Sequence, residues 1–227
     1  MIGERYGEQL KNPLAALNIN ILPLPDNREV SPSLAGHADL SAVHLGGARI
    51  VVAKGSPIVN DLTNRGFSVI ESAAALGAAY PRDCGLNVCV VGDKLICNPA
   101  CADAAVLAGL SELNLIAVKQ GYAKCSVCVV DSGSIITGDA GIAKAAASRG
   151  IDVLQISAGF ISLPGFDSGL IGGCAFKISE HELAFTGTLN AHPDKDRIFA
   201  FLSSRGITPL FLTESPIFDI GSAIQLY

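Results

Sequence analysis

The chain has 227 residues, 49% of them apolar and 16% charged, and a formal net charge of −5. That length accommodates one large domain, here expected to span 1–227, and the acidic balance with no long basic run argues against a general nucleic-acid-binding surface. Mean hydropathy is high at +0.43, but no uninterrupted apolar run of about 18 residues occurs, so no membrane span is expected.

The first thirteen residues carry Glu4, Arg5, Glu8 and Lys11 rather than the apolar run of a signal peptide, which makes a cytoplasmic location the expectation. Residues 17–24 then read as a lone strand. Residues 40–45 and 48–52 read as two strands joined at Gly46-Gly47, followed by a helix over 57–64 and a strand over 67–70. The same order returns at 87–91, 94–97, 101–110 and 113–118, with Gly92-Asp93 as the turn. It returns again at 125–130, 134–137, 140–148 and 151–156. There Asp139 is placed to cap the helix and Gly150 to stop it. A fourth round takes 175–178, 182–186, a helix opened by His192-Pro193-Asp194 with Pro193 at its first position, and a strand over 207–212. Residues 219–227 read as a last strand that completes a fifth unit with 17–24. The Gly-rich span 159–173 is the longest irregular segment, a candidate lid or channel-lining loop.

Three of these helices close on one signature: Arg65-Gly66-Phe67, Arg149-Gly150-Ile151 and Arg205-Gly206-Ile207. Internal repetition at this scale points to one β-β-α-β unit stacked or arranged in a ring. Closing such a ring through the terminal strands would remove open sheet edges.

The chemistry is read from the same alignment. Asn87, Ser126, Cys174 and Ser222 fall at one equivalent position where the first strand of each unit begins, with Asp39 or Ser41 as the first unit's member. Strand starts facing one axis would gather these residues around a channel. His37-Ala38-Asp39 puts an imidazole and a carboxylate on one face of an extended segment, a pattern suited to an oriented general base or a substrate anchor. Lys119 and the run to Ser126 are dense in polar groups. A lysine near a thiol lowers its pKa, so Cys125 is a candidate nucleophile, and Cys174 is a second from its predicted channel position. Asp83 and Asn87 are candidates to bind a cationic group or an amide, and Asp219 is a further channel carboxylate.

Seven cysteines, an odd number, read as reduced thiols rather than a disulfide framework. Cys125 and Cys128 form a CxxC, but on a strand they would face opposite sides; Cys97 and Cys101 could approach each other. No second CxxC or His pair completes a zinc site, so no metal or cofactor is expected. There is no P-loop, GxGxxG, HExxH or GxSxG sequence.

The repeated units resemble the pentein fold of the guanidino-group-modifying enzymes, a five-bladed αβ propeller of ββαβ units around a central channel. The chain is also similar to an uncharacterised bacterial family assigned to that fold, on Asp83 to Asn87, Lys119-Gln120-Gly121-Tyr122, Lys124-Cys125-Ser126, Asp139 with Gly141-Ile142, Ile171-Gly172-Gly173 and Asp219-Ile220-Gly221-Ser222. The resemblance implies a Cys/His-dependent hydrolase or transferase: a cysteine attacks the guanidino carbon, a histidine moves protons and carboxylates grip the cation. The chain departs from that pattern. The enzymes' nucleophile lies in the final blade, where this chain has Ser222. Their His-x-Asp lies in the fourth, where it has Cys174-Ala175-Phe176, whereas its own His37 and Asp39 lie in the first. Two functions stay open. One is an enzyme with a rotated site, using Cys84 or Cys125 on a small guanidino or amidino molecule held in the channel. The other is a non-catalytic binding protein of the same fold. The oligomeric state is not readable.

Overall fold

A computed structural model describes residues 1–226; the last residue of the predicted C-terminal strand, Tyr227, lies outside the described residues. The chain opens with β1 (Ile2–Gly3), α1 (Glu4–Ala16) and β2 (Pro23–Leu24), β1 and β2 pairing in parallel. The first unit follows as the one-turn helix α2 (Ala38–Ser41), β3 (Ala42–Gly46), β4 (Arg49–Val52), α3 (Val59–Asn64) and β5 (Ser68–Glu71). The second is β6 (Cys89–Val91), β7 (Lys94–Cys97), α4 (Ala104–Gly109) and β8 (Asn114–Ala117). The third begins with another one-turn helix, α5 (Ala123–Ser126), then β9 (Val127–Asp131), β10 (Ser134–Thr137), α6 (Ala140–Ala147) and β11 (Asp152–Gln155). The fourth starts at a 3-10 turn (Ile171–Cys174) and continues through β12 (Ala175–Ser179), β13 (Glu182–Phe185), α7 (Lys195–Ser203) and β14 (Thr208–Phe211).

Each unit forms a three-stranded sheet in which a hairpin supplies the first antiparallel pair and the helix carries the chain over to a parallel third strand. The strand sequences explain the order. The middle strands carry apolar runs such as Ile50-Val51-Val52 and Ile135-Ile136, buried on both faces. The third strands, such as Asp152–Gln155, are half-exposed edges, and Pro209 sits in one of them, where a missing N–H costs little.

The Arg-Gly signature is a helix stop of one kind. Gly66, Gly150 and Gly206 have φ of +88°, +78° and +66°. The residue after each donates its N–H five residues back: Phe67 to Leu62, Ile151 to Ala146 and Ile207 to Leu202, at 3.0–3.2 Å. The two partners of each bond share an apolar cluster. This is the Schellman arrangement with its hydrophobic contact. Arg205 adds a guanidinium over the Phe201 ring and an ion pair to Asp152.

Apolar residues gather in five clusters, each shared by two neighbouring segments. Val43, Leu86 and Leu95 join the first and second units; Cys89, Val127 and Ile135 join the second and third; Cys128, Ile136 and Phe185 join the third and fourth. Ile2, Leu10 and Leu14 pack on Phe176 and Leu212 of the fourth, while Met1, Leu24 and Ile224 pack on Ile50 and Ile58 of the first. Ile224 and Met1 exchange both backbone hydrogen bonds, at 2.6 and 2.9 Å.

The N-terminal segment differs from the reading of the sequence. Residues 4–16 form a helix that buries Leu10 and Leu14 despite Pro13 near its end, and only Pro23–Leu24 of the expected 17–24 strand pairs as one. Residues 219–226 form no regular strand, although their backbone is bonded to Ser162, Gly173 and Met1. Pro193 precedes the cap of α7 instead of opening it. Cys125 lies in a helical turn, not on a strand with Cys128. No helix among the described residues is long and apolar enough to cross a membrane.

An added Cβ at Gly66, Gly150 or Gly206 meets nothing within 4 Å, so the cost of an alanine there is purely that of the left-handed backbone. Each Gly→Ala change should lower stability by about 1–2 kcal/mol. Gly7→Ala in α1, where the added methyl is also free of contacts, should raise it by up to about 1 kcal/mol. Urea unfolding of the four variants tests the contrast in sign.

Candidate functional site

The starts of the units converge on a buried polar cluster. His37 precedes α2 and Asp39 lies within it, held by a backbone bond from the Asp39 N–H to the Gly221 carbonyl at 3.0 Å. His37 thus keeps an extended backbone while Asp39 lies in the helical turn, and both side chains are buried. Cys125 comes from α5, 86 residues away, and its Sγ donates to Asp39 Oδ2 at 2.9 Å. His37 Nδ1 stands 4.0 Å from Asp219 Oδ1.

Asn87 fixes this geometry. Its Oδ1 accepts from the backbone N–H of Lys124 at 2.7 Å and of Cys125 at 3.1 Å, which secures two of the free donors at the start of a one-turn helix. Its Nδ2 donates to the Asp39 carbonyl and to Cys125 Sγ, both at 3.2 Å. Asp219 is held in the same manner: Oδ2 accepts from Leu170 N–H at 2.8 Å and Oδ1 from Gly221 N–H at 2.9 Å. Two glycines make room. A Cβ at Gly173 would overlap the Asp219 carboxylate, and one at Gly221, φ +68°, would overlap His37. The Gly-rich span thus lines the site at residues 169–173.

Burial raises the Cys125 thiol pKa well above its ordinary value, and the charges of Asp39 and Asp219 add to the rise. The expected thiol of lowered pKa is therefore corrected: two carboxylates, not a lysine, dominate its surroundings. Burial likewise raises the Asp219 carboxyl, opposed by His37 and reinforced by Asp39. Both ring nitrogens of His37 and Oδ1 of Asp39 are buried without a hydrogen-bond partner.

Other expected residues lie elsewhere. Cys174 is buried in the core of the fourth unit, its Sγ donating to the Ile171 carbonyl at 3.1 Å, and burial raises its pKa well above the ordinary value. Lys119 is exposed and outside the cluster, and its carbonyl accepts from Asn98. Asp83 accepts from the Tyr122 hydroxyl at 2.6 Å, one step from Cys125, with its other oxygen buried and unpartnered. Ser126 keeps a buried, unpartnered hydroxyl on a separate cavity of about 160 Å³ with Gln120 and Asp139. Cys84 Sγ lies 3.5 Å from Cys101 Sγ, and Cys101 also adds to the rise that burial gives the Cys97 thiol pKa.

The lysine that reaches the site is Lys124. Its Nζ donates to Ser222 Oγ at 2.9 Å and more weakly to the Gly172 carbonyl at 3.4 Å, and Ser222 holds an uncommon φ of +60°. Lys124 and Asp39 line a cavity of about 240 Å³ walled by Val43, His44, Val88 and residues 223–225. The adjacency of Lys124 to Cys125 was the available signal; its reach across 98 residues to Ser222 was not.

The chain matches the family of unknown function DUF6873 over residues 1–224. It belongs to that family. No curated protein matches it in sequence. Among solved structures it is similar to dimethylarginine dimethylaminohydrolase from Pseudomonas aeruginosa, in a cysteine-to-serine mutant complexed with citrulline. That pair is 14% identical over 90% of this chain and 79% of the other, with a TM-score of 0.55. It is similar also to SxtG, an amidinotransferase from Microseira wollei, at 9% identity, 95% and 79% coverage and a TM-score of 0.55. A third is ArgZ, a cyanobacterial arginine dihydrolase, at 13% identity and a TM-score of 0.53; there 94% of this chain matches 35% of the larger one. The family is thus one of mixed α/β fold matching pentein structures.

Two outcomes follow from this geometry. Asn87→Ala strips acceptors from two buried N–H groups and should cost about 2–4 kcal/mol, read by urea unfolding. The thiols of Cys89, Cys125, Cys128 and Cys174 all have raised pKa values, about 11 for Cys89 and about 12 for Cys128, burial being the first cause in each. Above the ordinary thiol pKa the unfolded chain loses these protons while the native state keeps them, so stability falls as pH rises. The loss should begin as pH rises through the ordinary thiol range, and Cys125→Ser should make the pH dependence shallower, as read by urea unfolding at a series of pH values.

Proposed function

We propose that the protein is a cysteine-dependent enzyme acting on a small guanidino or amidino compound, with Cys125 as nucleophile and His37 and Asp39 as its partners. In this reading the five segments stand as blades around one axis, and the 240 Å³ cavity is the channel that admits the substrate. The shared apolar clusters and the Met1–Ile224 bonds support the ring. The carrying observation is the Cys125 thiol bonded to Asp39 in a cluster with His37.

The charges define the substrate. Asp39 and Asp219 offer carboxylates to a planar cation. Lys124 lines the same cavity as Asp39, so a compound carrying a carboxylate as well as a guanidinium meets both ends. Without ligand the thiol is protonated. A bound cation cancels the field of Asp39 and Asp219 and removes part of what raises the thiol pKa. Cys125 Sγ then attacks the amidino carbon, its proton passing to His37, directly or by way of Asp39. The C–N bond breaks, and the leaving amine takes a proton from His37. Water, or a second amine in a transferase, displaces sulfur from the thiouronium carbon and restores the thiol. Asn87 is a positioning residue, since its polar atoms are already engaged. Ser222 holds Lys124 beside the site and Asp83 is tied to Tyr122, whereas Ser126, on its separate cavity, Cys174 and Lys119 have no part in the step.

One observation favours the second reading, a binding protein without turnover: the resting thiol is buried and its pKa is high. Incubation with a panel of guanidino acids, reading ureido product and released amine, separates the two. The enzyme reading expects product with wild type and none with Cys125→Ser. Ligand-induced thermal stabilisation without product would establish the binding role. Asp39→Asn removes the nearest negative charge, so Cys125 should be alkylated faster than in wild type at pH 8, as read by peptide mass spectrometry. An unchanged rate would mean that Asp39 has no part in setting the reactivity of the thiol.

A further inference from the structure

His37, Asp39 and Cys125 place an imidazole nitrogen, a carboxylate oxygen and a sulfur within 4.8 Å of one another. All three residues are at least 97% buried. Asp39 Oδ1 and both nitrogens of His37 lack any hydrogen-bond partner. Buried polar atoms are almost always paired, so three such vacancies in one cluster point to something that fills them. A thiolate and a carboxylate side by side, with Asp219 close behind the imidazole, form a concentrated negative site that a dication would neutralise.

We propose that His37, Asp39 and Cys125 bind one divalent transition-metal ion, zinc by preference, with the fourth position left to water or a ligand. The donor set decides the class. A thiolate beside an imidazole and a carboxylate suits zinc or cobalt, whereas magnesium and calcium take oxygen ligands. Zinc bonds of roughly 2.0–2.3 Å in a tetrahedron put ligand atoms about 3.3–3.8 Å apart. The Cys125–Asp39 pair at 2.9 Å therefore opens by about half an ångström, and the imidazole closes in. Asp219, 4.0 Å from His37 Nδ1, stands where a carboxylate orients a ligating histidine from behind. Binding releases the Cys125 proton and occupies its sulfur lone pairs, so the metal-loaded protein cannot carry out attack by that thiol. The inference goes beyond the guanidino reading and does not depend on it.

The test is titration of the reduced, chelator-treated full-length protein with Co²⁺. The expected result is one equivalent bound, with a thiolate-to-cobalt charge-transfer band in the near ultraviolet and the visible absorption of a four-coordinate ion. Zinc should displace the cobalt and bleach both. Cys125→Ser, nearly isosteric, should abolish the charge-transfer band, while Asp39→Asn and His37→Gln should weaken binding at least about tenfold. The other close thiol pair, Cys84 and Cys101, is the competing explanation, and a Cys84→Ser/Cys101→Ser variant should keep the band. No band in wild type, a band surviving Cys125→Ser in protein with native circular dichroism, or a band lost in the Cys84/Cys101 variant would each overturn the proposal. None of these readings involves turnover, so failure of the guanidino assay leaves this result standing and the reverse holds too.

Discussion

Two carboxylates, an imidazole and a thiol are withdrawn from water at one point, and much of the chain's detail exists to make that tolerable. An isolated ionised side chain taken into a protein interior costs several kcal/mol even after relaxation. Asp219 offsets its share with two backbone N–H groups and a nearby imidazole; Asp39 is left with a thiol hydrogen bond and one bare oxygen. The cluster is therefore incompletely compensated. A core selected for stability alone would hold apolar side chains there, as the five surrounding clusters do. The retained polarity is what makes the site a functional candidate.

Holding that cluster requires groups distant in sequence to be exact in space, and backbone atoms do most of the holding. Asn87 ties the carbonyl of Asp39 to the N–H groups of Lys124 and Cys125, so one amide sets the relative position of three unit starts. Gly173 and Gly221 act by what they lack: each lets a neighbouring backbone approach Asp219 or His37 more closely than any side chain permits. The sheets supply rigidity behind these contacts, since Asp39 and Cys125 lie in one-turn helices directly before the first strands of their sheets.

What could be read from the sequence follows the range of the interaction. Hairpin turns, the Asp139 cap and the Arg-Gly stops are settled within about five residues, and the four β-β-α-β units stood within a few residues of where they were expected. His37, Asp39, Asn87 and Asp219 could be picked out because polar residues at apolar strand starts break a local rule. Their partners could not. The thiol pKa of Cys125 is raised first by burial and then by carboxylates 86 and 94 residues away, none of which the adjacent Lys124 could signal. Cys174 occupies the equivalent position in its own unit yet faces the core, because the 3-10 turn at Ile171–Cys174 aims its sulfur at a carbonyl. The helix at 4–16 was hidden by Pro13 and a weak apolar stripe, and it forms because Leu10 and Leu14 find the fourth unit's sheet.

Repetition also explains how side chains far apart in sequence come to share one cluster. The starts of the first three units meet in one region, so different units contribute the thiol, the imidazole and the carboxylates. In this chain the imidazole and one carboxylate come from the first, the thiol from the third and the second carboxylate from the C-terminal segment. The same negative field that keeps the thiol protonated is what would attract a cation, organic or metallic, and either one would lower the cost of ionising sulfur. On the two proposals made above, substrate activation and metal capture would be alternative uses of one electrostatic arrangement. Burial and the two carboxylates together raise the Cys125 thiol pKa in the resting protein, and a ligand that brings positive charge to the cluster would act against the carboxylate share of that rise.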